Sequence, residues 1–183
     1  MAGTDRDSDI GIRGQEPPLS LDANRIRHIS AVSERAVRVG RLMGIRDEGT
    51  LRRLFALGWL HDLGYALARP GEGHEDAGGR FLRSMGYADW REVAEHGNPD
   101  PGYASVLLEV LNAADMLTDS RGNAVTFSER LADIAERYGE DSPVTQRAAK
   151  VIESLRERGY GVAEEDVLRE RNPSTGDAAD MEN

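Results

Sequence analysis

Through the middle of the chain apolar residues recur every three to four positions, the spacing that gives an α-helix one buried face. Ile26, Ile29, Val32, Ala36 and Val39 mark a first helix, and Gly44 is its natural stop. Leu51 to Leu63 predicts a second, closed by Gly64 and apolar nearly all round toward its end, as a central buried helix would be. A third runs from about His74 through Phe81, Leu82 and Met85 to Gly86, and a short fourth spans Asp89 to His96 before Gly97. The fifth, roughly Tyr103 to Thr118, is again strongly apolar. Ser128 is placed to cap a sixth, with Leu131, Ile134 and Tyr138 inward and Gly139 after it. Ser142-Pro143 offers an N-cap and a first-turn proline to a seventh that ends at Gly159. No stretch alternates with the period of two that a strand requires, so the pattern predicts an all-α bundle of about six to seven helices. Phe55, Trp59, Phe81 and Trp90 are expected in its core, and Arg52-Arg53 on a solvated face.

Composition adds the boundaries. With 183 residues, 39% of them hydrophobic, the chain can bury one sizeable core. Acidic residues outnumber basic ones 33 to 23, for a formal charge of −10, which argues against a nucleic-acid grip. Much of that charge sits at the ends. Residues 1–21 and 161–183 are poor in large apolar side chains and rich in Asp, Glu, Gly, Ser and Pro, so both are expected as disordered tails. At most a frayed turn of helix is expected over 161–170. The domain is then 22–160, which is close to charge-balanced. No cysteine is present, which excludes disulfides, thiolate metal sites and cysteine nucleophiles. No apolar run reaches the length of a membrane span and the N-terminus is polar, so the expectation is a cytoplasmic protein that binds no membrane and no nucleic acid. Lys150 is the single lysine among the 23 basic residues, a bias that reads as a GC-rich bacterial genome.

Chemistry must come from polar groups set into this apolar frame. A phosphate-binding loop is lacking, Gly71-Glu72-Gly73 falls short of a dinucleotide site, and no serine sits in a nucleophile elbow. What stands out is His61-Asp62, at the end of the most hydrophobic helix. An ionisable pair in that setting needs a partner or a metal. Alone, such a pair more often caps a helix end. Its company is His28 inside the first helix, His74 opening the third, His96 closing the fourth, and Asp115 within the apolar run Leu111 to Leu117. Once this set is assembled, none of the four histidines of the chain is left over.

The order His28, His61-Asp62, His74, His96, Asp115 resembles the HD superfamily of metal-dependent phosphohydrolases, and the flanks agree with it. Arg25 to His28, followed by Val32, Ala36 and Val37, looks like the first helix of that family. The run from Trp59 to Tyr65 is similar to its His-Asp signature, His74 to Leu82 to its following helix, and Ala113 to Asp115 to its closing Ala-Asp. The resemblance covers about 22–138 and implies an HD-domain helical bundle. It also implies an enzyme, a phosphoric ester hydrolase, with one metal held by His28, His61, Asp62 and Asp115. In relatives with two metals, His74 and His96 match the extra ligands and Asp62 the bridge. With one metal, His74 and His96 would instead donate protons or hold phosphate. Nitrogen and oxygen ligands without sulfur suit Mn²⁺, Fe²⁺, Co²⁺, Zn²⁺ or Mg²⁺, with Fe or Mn favoured.

Around these, helical geometry puts Asn112 and Asp119 on the face of Asp115, which makes Asp119 a candidate catalytic residue beside Asp62, His74 and His96. Arg25, one turn from His28, is a candidate phosphate ligand, with Arg121 and Arg80 weaker ones. Tyr65 stands where several relatives carry lysine, and offers a neutral hydroxyl to substrate. Met116, Tyr65, Tyr103 and the glycine-containing 64–74 loop are expected to shape the pocket, the loop as a mobile cover. The expected partner is a small phosphorylated metabolite, a nucleotide foremost; a homodimer is compatible with the sequence. Two other readings stay open: a di-iron oxygenase of the same superfamily acting on a polyol or phosphonate, and a non-catalytic module that binds a nucleotide or partner.

Overall fold

The computed structural model describes residues 21–171, so the tail expected over 1–21 lies almost wholly outside the described residues, as does the acidic end from 172 on. Eight α-helices follow in order: α1 (Ala23–Leu42), α2 (Glu48–Leu60), α3 (His74–Ser84), α4 (Trp90–Ala94), α5 (Val106–Met116), α6 (Phe127–Tyr138), α7 (Pro143–Glu157) and α8 (Gly161–Arg171). A 3₁₀ turn over Leu63–Ala66 links α2 toward α3. Among the described residues there is no strand, only an isolated bridge between Thr118 and Ala124. The all-α expectation holds. No described helix is long and apolar enough to cross a membrane.

The helix starts are written in capping side chains. Asp22, Asp47, Ser105 and Ser142 each accept a hydrogen bond from a first-turn amide of α1, α2, α5 and α7. Pro143 opens α7 as its sequence predicts. Helix α6 begins at Thr126 and not at Ser128. Thr126 accepts from the Glu129 amide while the Glu129 carboxylate accepts from the Thr126 amide, a reciprocal pair that satisfies two otherwise free donors.

Helix α5 is the axis. Every residue from Val110 to Met116 is buried, and α1, α2, α4, α6 and α7 all pack against it. Helix α1 crosses closely over α2 at Gly58. A Cβ there would stand 2.4 Å from the Ser33 Cα and 2.6 Å from its amide nitrogen, so only glycine lets the two backbones meet. That approach fixes the depth at which His28 of α1 faces His61, the residue that ends α2.

Two expectations about the core change. Phe55 and Trp59, one turn apart on α2, are 42% and 39% exposed, because α2 is covered on one side only. Phe81 and Trp90 do pack against the core. The second change concerns residues 161–171, which the sequence composition assigns to the acidic tail. They form α8, seated by Tyr160, Ala163 and Val167, all nearly inaccessible. Its acids pair with basic residues elsewhere: Asp166 with Arg38, and Glu170 with Arg35 and Arg38. Alanine and valine four residues apart suffice to dock a helix when its charges are partnered.

Candidate metal centre

Each residue of the set sits at a place the helices fix. His28 is on α1, His61 caps the end of α2 with Asp62 directly after it, and His74 is the first residue of α3. His96 follows α4 by two positions and Asp115 lies in the last turn of α5. All six converge. His28, His61 and Asp62 form one group whose ligand atoms lie within 4.8 Å of one another, and Asp62, His74 and His96 form a second.

Asp62 belongs to both, and its two oxygens divide the work. Oδ2 faces His61 Nε2 at 3.4 Å and His28 Nε2 at 3.7 Å. Oδ1 faces His74 Nε2 at 3.3 Å and His96 Nε2 at 3.7 Å. Asp115 Oδ1 closes the first group at 3.1 Å from His28 Nε2.

The histidines are oriented from behind. His28 Nδ1 donates to the Asp119 carbonyl at 2.8 Å, His61 Nδ1 to the Gly58 carbonyl at 2.8 Å, and His96 Nδ1 to the Val93 carbonyl at 2.6 Å. A carbonyl only accepts, so each of these rings carries its hydrogen on Nδ1 and turns Nε2 inward. His74 Nδ1 lies 3.1 Å from a Glu75 carboxylate oxygen. Four Nε2 atoms thus aim at one carboxylate.

This arrangement fits a metal ion. Burial pushes His61 down to about 4, so its ring is neutral near pH 7 and Nε2 presents a lone pair. That Nε2 is buried and has no hydrogen-bond partner among the described residues. A buried acceptor with nothing donating to it is costly unless a cation takes it. Asp62 stays ionised far below the usual carboxylate range: burial opposes this, but His61, His74, His96 and Arg25 together outweigh it. Asp115 is likewise lowered, with burial again opposing and the His28 hydrogen bond and Arg130 prevailing. His96 is raised, its burial outweighed by Asp62. Imidazole nitrogens and ionised carboxylates, with no sulfur, are the donor set of a borderline-to-hard divalent ion.

The cluster lines a pocket of about 360 Å³. Arg25 reaches into it from α1, its Nη1 2.5 Å from Asp62 Oδ2 and its guanidinium 4.0 Å above the Tyr65 ring. Tyr65 in turn stacks on His74, ring centroids 4.0 Å apart. Burial, and after it the Asp62 charge, holds the Tyr65 phenol up at about 12, so it stays a neutral donor.

Other expected site residues lie elsewhere. Helix α5 ends at Met116, so Asp119 is off the helix and the shared-face reasoning fails for it. Its carboxylate accepts from the Arg121 and Asn123 amides and from Asn123 Nδ2 at 2.7–2.8 Å, which closes a turn. Asp119 serves the centre through its carbonyl on His28, as a positioning residue. Arg121 lines a second recess with Asp22 and Asn24, which Arg25 also borders. Arg80 pairs with Glu72, Asn112 accepts from the Gly97 amide beside His96, and Tyr103 lies outside the pocket. The 64–74 loop is tethered rather than open: a Cβ on Gly64 would stand 1.7 Å from the His74 carbonyl oxygen, and Glu72 is held by both Arg69 and Arg80.

Arg130 is the residue the sequence reading missed. It is buried on α6, with Nη2 3.4 Å from Asp115 Oδ1 and Nη1 3.0 Å from Asp133 Oδ2. Its signal was present: Phe127, Arg130 and Ile134 share one face, so an arginine stands at an inward position.

No protein-family model matches the chain, and neither a curated protein nor a solved structure does.

Proposed function

We propose that the chain is a metal-dependent phosphohydrolase of the HD type, cleaving the phosphate ester of a small metabolite, a nucleotide foremost. The observation that carries the reading is Asp62, whose two oxygens each face a different pair of buried histidines at the floor of a pocket. His28, His61, Asp62 and Asp115 would hold one divalent ion and Asp62, His74 and His96 a second, proposed as Mn²⁺ or Fe²⁺ from the range these donors suit. Such ions supply Lewis acidity and lower the pKa of a water that attacks phosphorus.

The remaining residues bind and orient. Arg25 is fixed by Asp62 on one side and Tyr65 on the other, so its remaining donors are preorganised for phosphate oxygens. Arg130 holds Asp115 in register from behind. Tyr65 acts through its ring, which keeps Arg25 and His74 in place. Tyr65→Phe is therefore expected to keep KM within about threefold of wild type, whereas Tyr65→Ala raises it about tenfold. Steady-state kinetics on both variants check this; a Phe variant as impaired as Ala would shift the role to the hydroxyl.

The test is a panel of nucleotides, sugar phosphates and phosphonates against protein loaded with Mn²⁺ or Fe²⁺, read as phosphate release with and without O₂. Release without O₂ is expected. Turnover that requires O₂ would move the chain to the di-iron oxygenases, and binding without turnover to the non-catalytic modules.

A further inference from the structure

The pocket has two unlike walls. One carries the histidines, Asp62 and Arg25; the other comes from α6 and α7 and sets apolar side chains among Arg130, Arg137 and Arg147. Ile134 and Tyr138 are one turn apart on α6, and Val144 and Ala148 one turn apart on α7, so each pair presents a single face to the same cavity. Tyr138 is 51% and Val144 43% exposed. Large apolar groups gathered in a concavity and left open to solvent are the usual mark of a ligand surface.

The charges near this wall already have partners. Arg137 is 2.7 Å from Asp133 Oδ2, Arg130 shares the same oxygen at 3.0 Å, and Arg147 lies 3.7 Å from Glu75 Oε1. Apolar contact, more than charge, is what the wall offers.

We propose that Ile134, Tyr138, Val144 and Ala148 form a specificity subsite that seats a flat, apolar face of the substrate's organic portion while its phosphate lies at the histidines. This rests on the phosphohydrolase reading and narrows it: esters with an aromatic or otherwise apolar body are preferred over phosphates of small polyols.

Isothermal calorimetry with Mn²⁺-loaded protein separates the two claims, using methylphosphonate and phenylphosphonate, which share an anionic head and resist hydrolysis. Phenylphosphonate is expected to bind about tenfold more tightly, from the apolar area its ring covers. In the double variant Tyr138→Ser, Val144→Ser, whose positions are too exposed to carry the fold, that preference disappears and methylphosphonate binding is unchanged. Equal or reversed affinities in the wild type, or a preference that survives the double variant, overturn the subsite and leave the phosphohydrolase reading standing. If neither phosphonate binds, the phosphohydrolase reading falls and the subsite with it.

Discussion

Asp62→Asn is expected to lower phosphate release about 10³-fold or more and to leave the protein with at most one metal ion per chain. The expectation follows from geometry: both oxygens are engaged, each with two histidine Nε2 atoms, so no other residue can take over either half. An amide keeps the volume and one acceptor but loses the charge, and its NH₂ would point a donor at ring nitrogens placed to face a cation. Loss of one electrostatic stabiliser at a reacting centre ordinarily costs 10² to 10³ in rate, and here ligation is lost as well. Metal analysis of the purified variant, beside circular dichroism to show an intact fold, gives the readout. The contrast is Asp119→Asn. Its carboxylate only closes a turn while its carbonyl does the orienting, so this variant is expected to stay within about threefold of wild type. Full metal occupancy in Asp62→Asn would remove the two-group assignment.

The second large effect is on stability. Gly58→Ala adds a methyl group where the Ser33 backbone stands 2.4 Å away, so α1 must lift off α2 or tilt. Overpacking of this kind costs roughly 1–3 kcal/mol, and the ~1 kcal/mol that alanine gains over glycine in a helix offsets only part of it. The urea midpoint should fall accordingly. Because His28 rides on α1 and His61 ends α2, metal affinity should fall with it, which a distant destabilising change would not cause. Gly161→Ala is the control: nothing lies within 4 Å of its Cβ, and it opens a helix, so stability should hold or rise slightly.

Much of the fold and of the candidate site is legible in the sequence alone. The helices show because apolar spacing and capping residues agree with each other, as at Ser142-Pro143. The six candidate ligands show because ionisable groups in apolar helices are conspicuous. What the sequence hid depends on where helices end and on what covers them. Asp119 looked aligned with Asp115 only if α5 continued past Met116; it stops there, and a single lost turn removes the alignment. Phe55 and Trp59 read as core because apolarity does not say whether a helix is covered on one side or both. Helix α8 read as tail because its charges were counted without the arginines of α1 that neutralise them. Arg130 hid among the other arginines of an arginine-rich chain, distinguishable only by its face.

Three of the six candidate ligands share a placement whose electrostatic consequence reaches past coordination, whereas His74 opens α3 at its amino end. His61 stands at the carboxyl end of α2, Asp115 in the last turn of α5, and His96 just beyond the shorter α4. Aligned peptide dipoles leave partial negative charge at each of these ends. Three helices therefore point their electron-rich termini at one spot, against the single amino terminus of α3 at His74, so the backbone adds a net attraction for a cation at the pocket floor. That pull comes from backbone that no side-chain substitution removes, and it should survive in every ligand variant as a residual, salt-sensitive attraction for divalent ions.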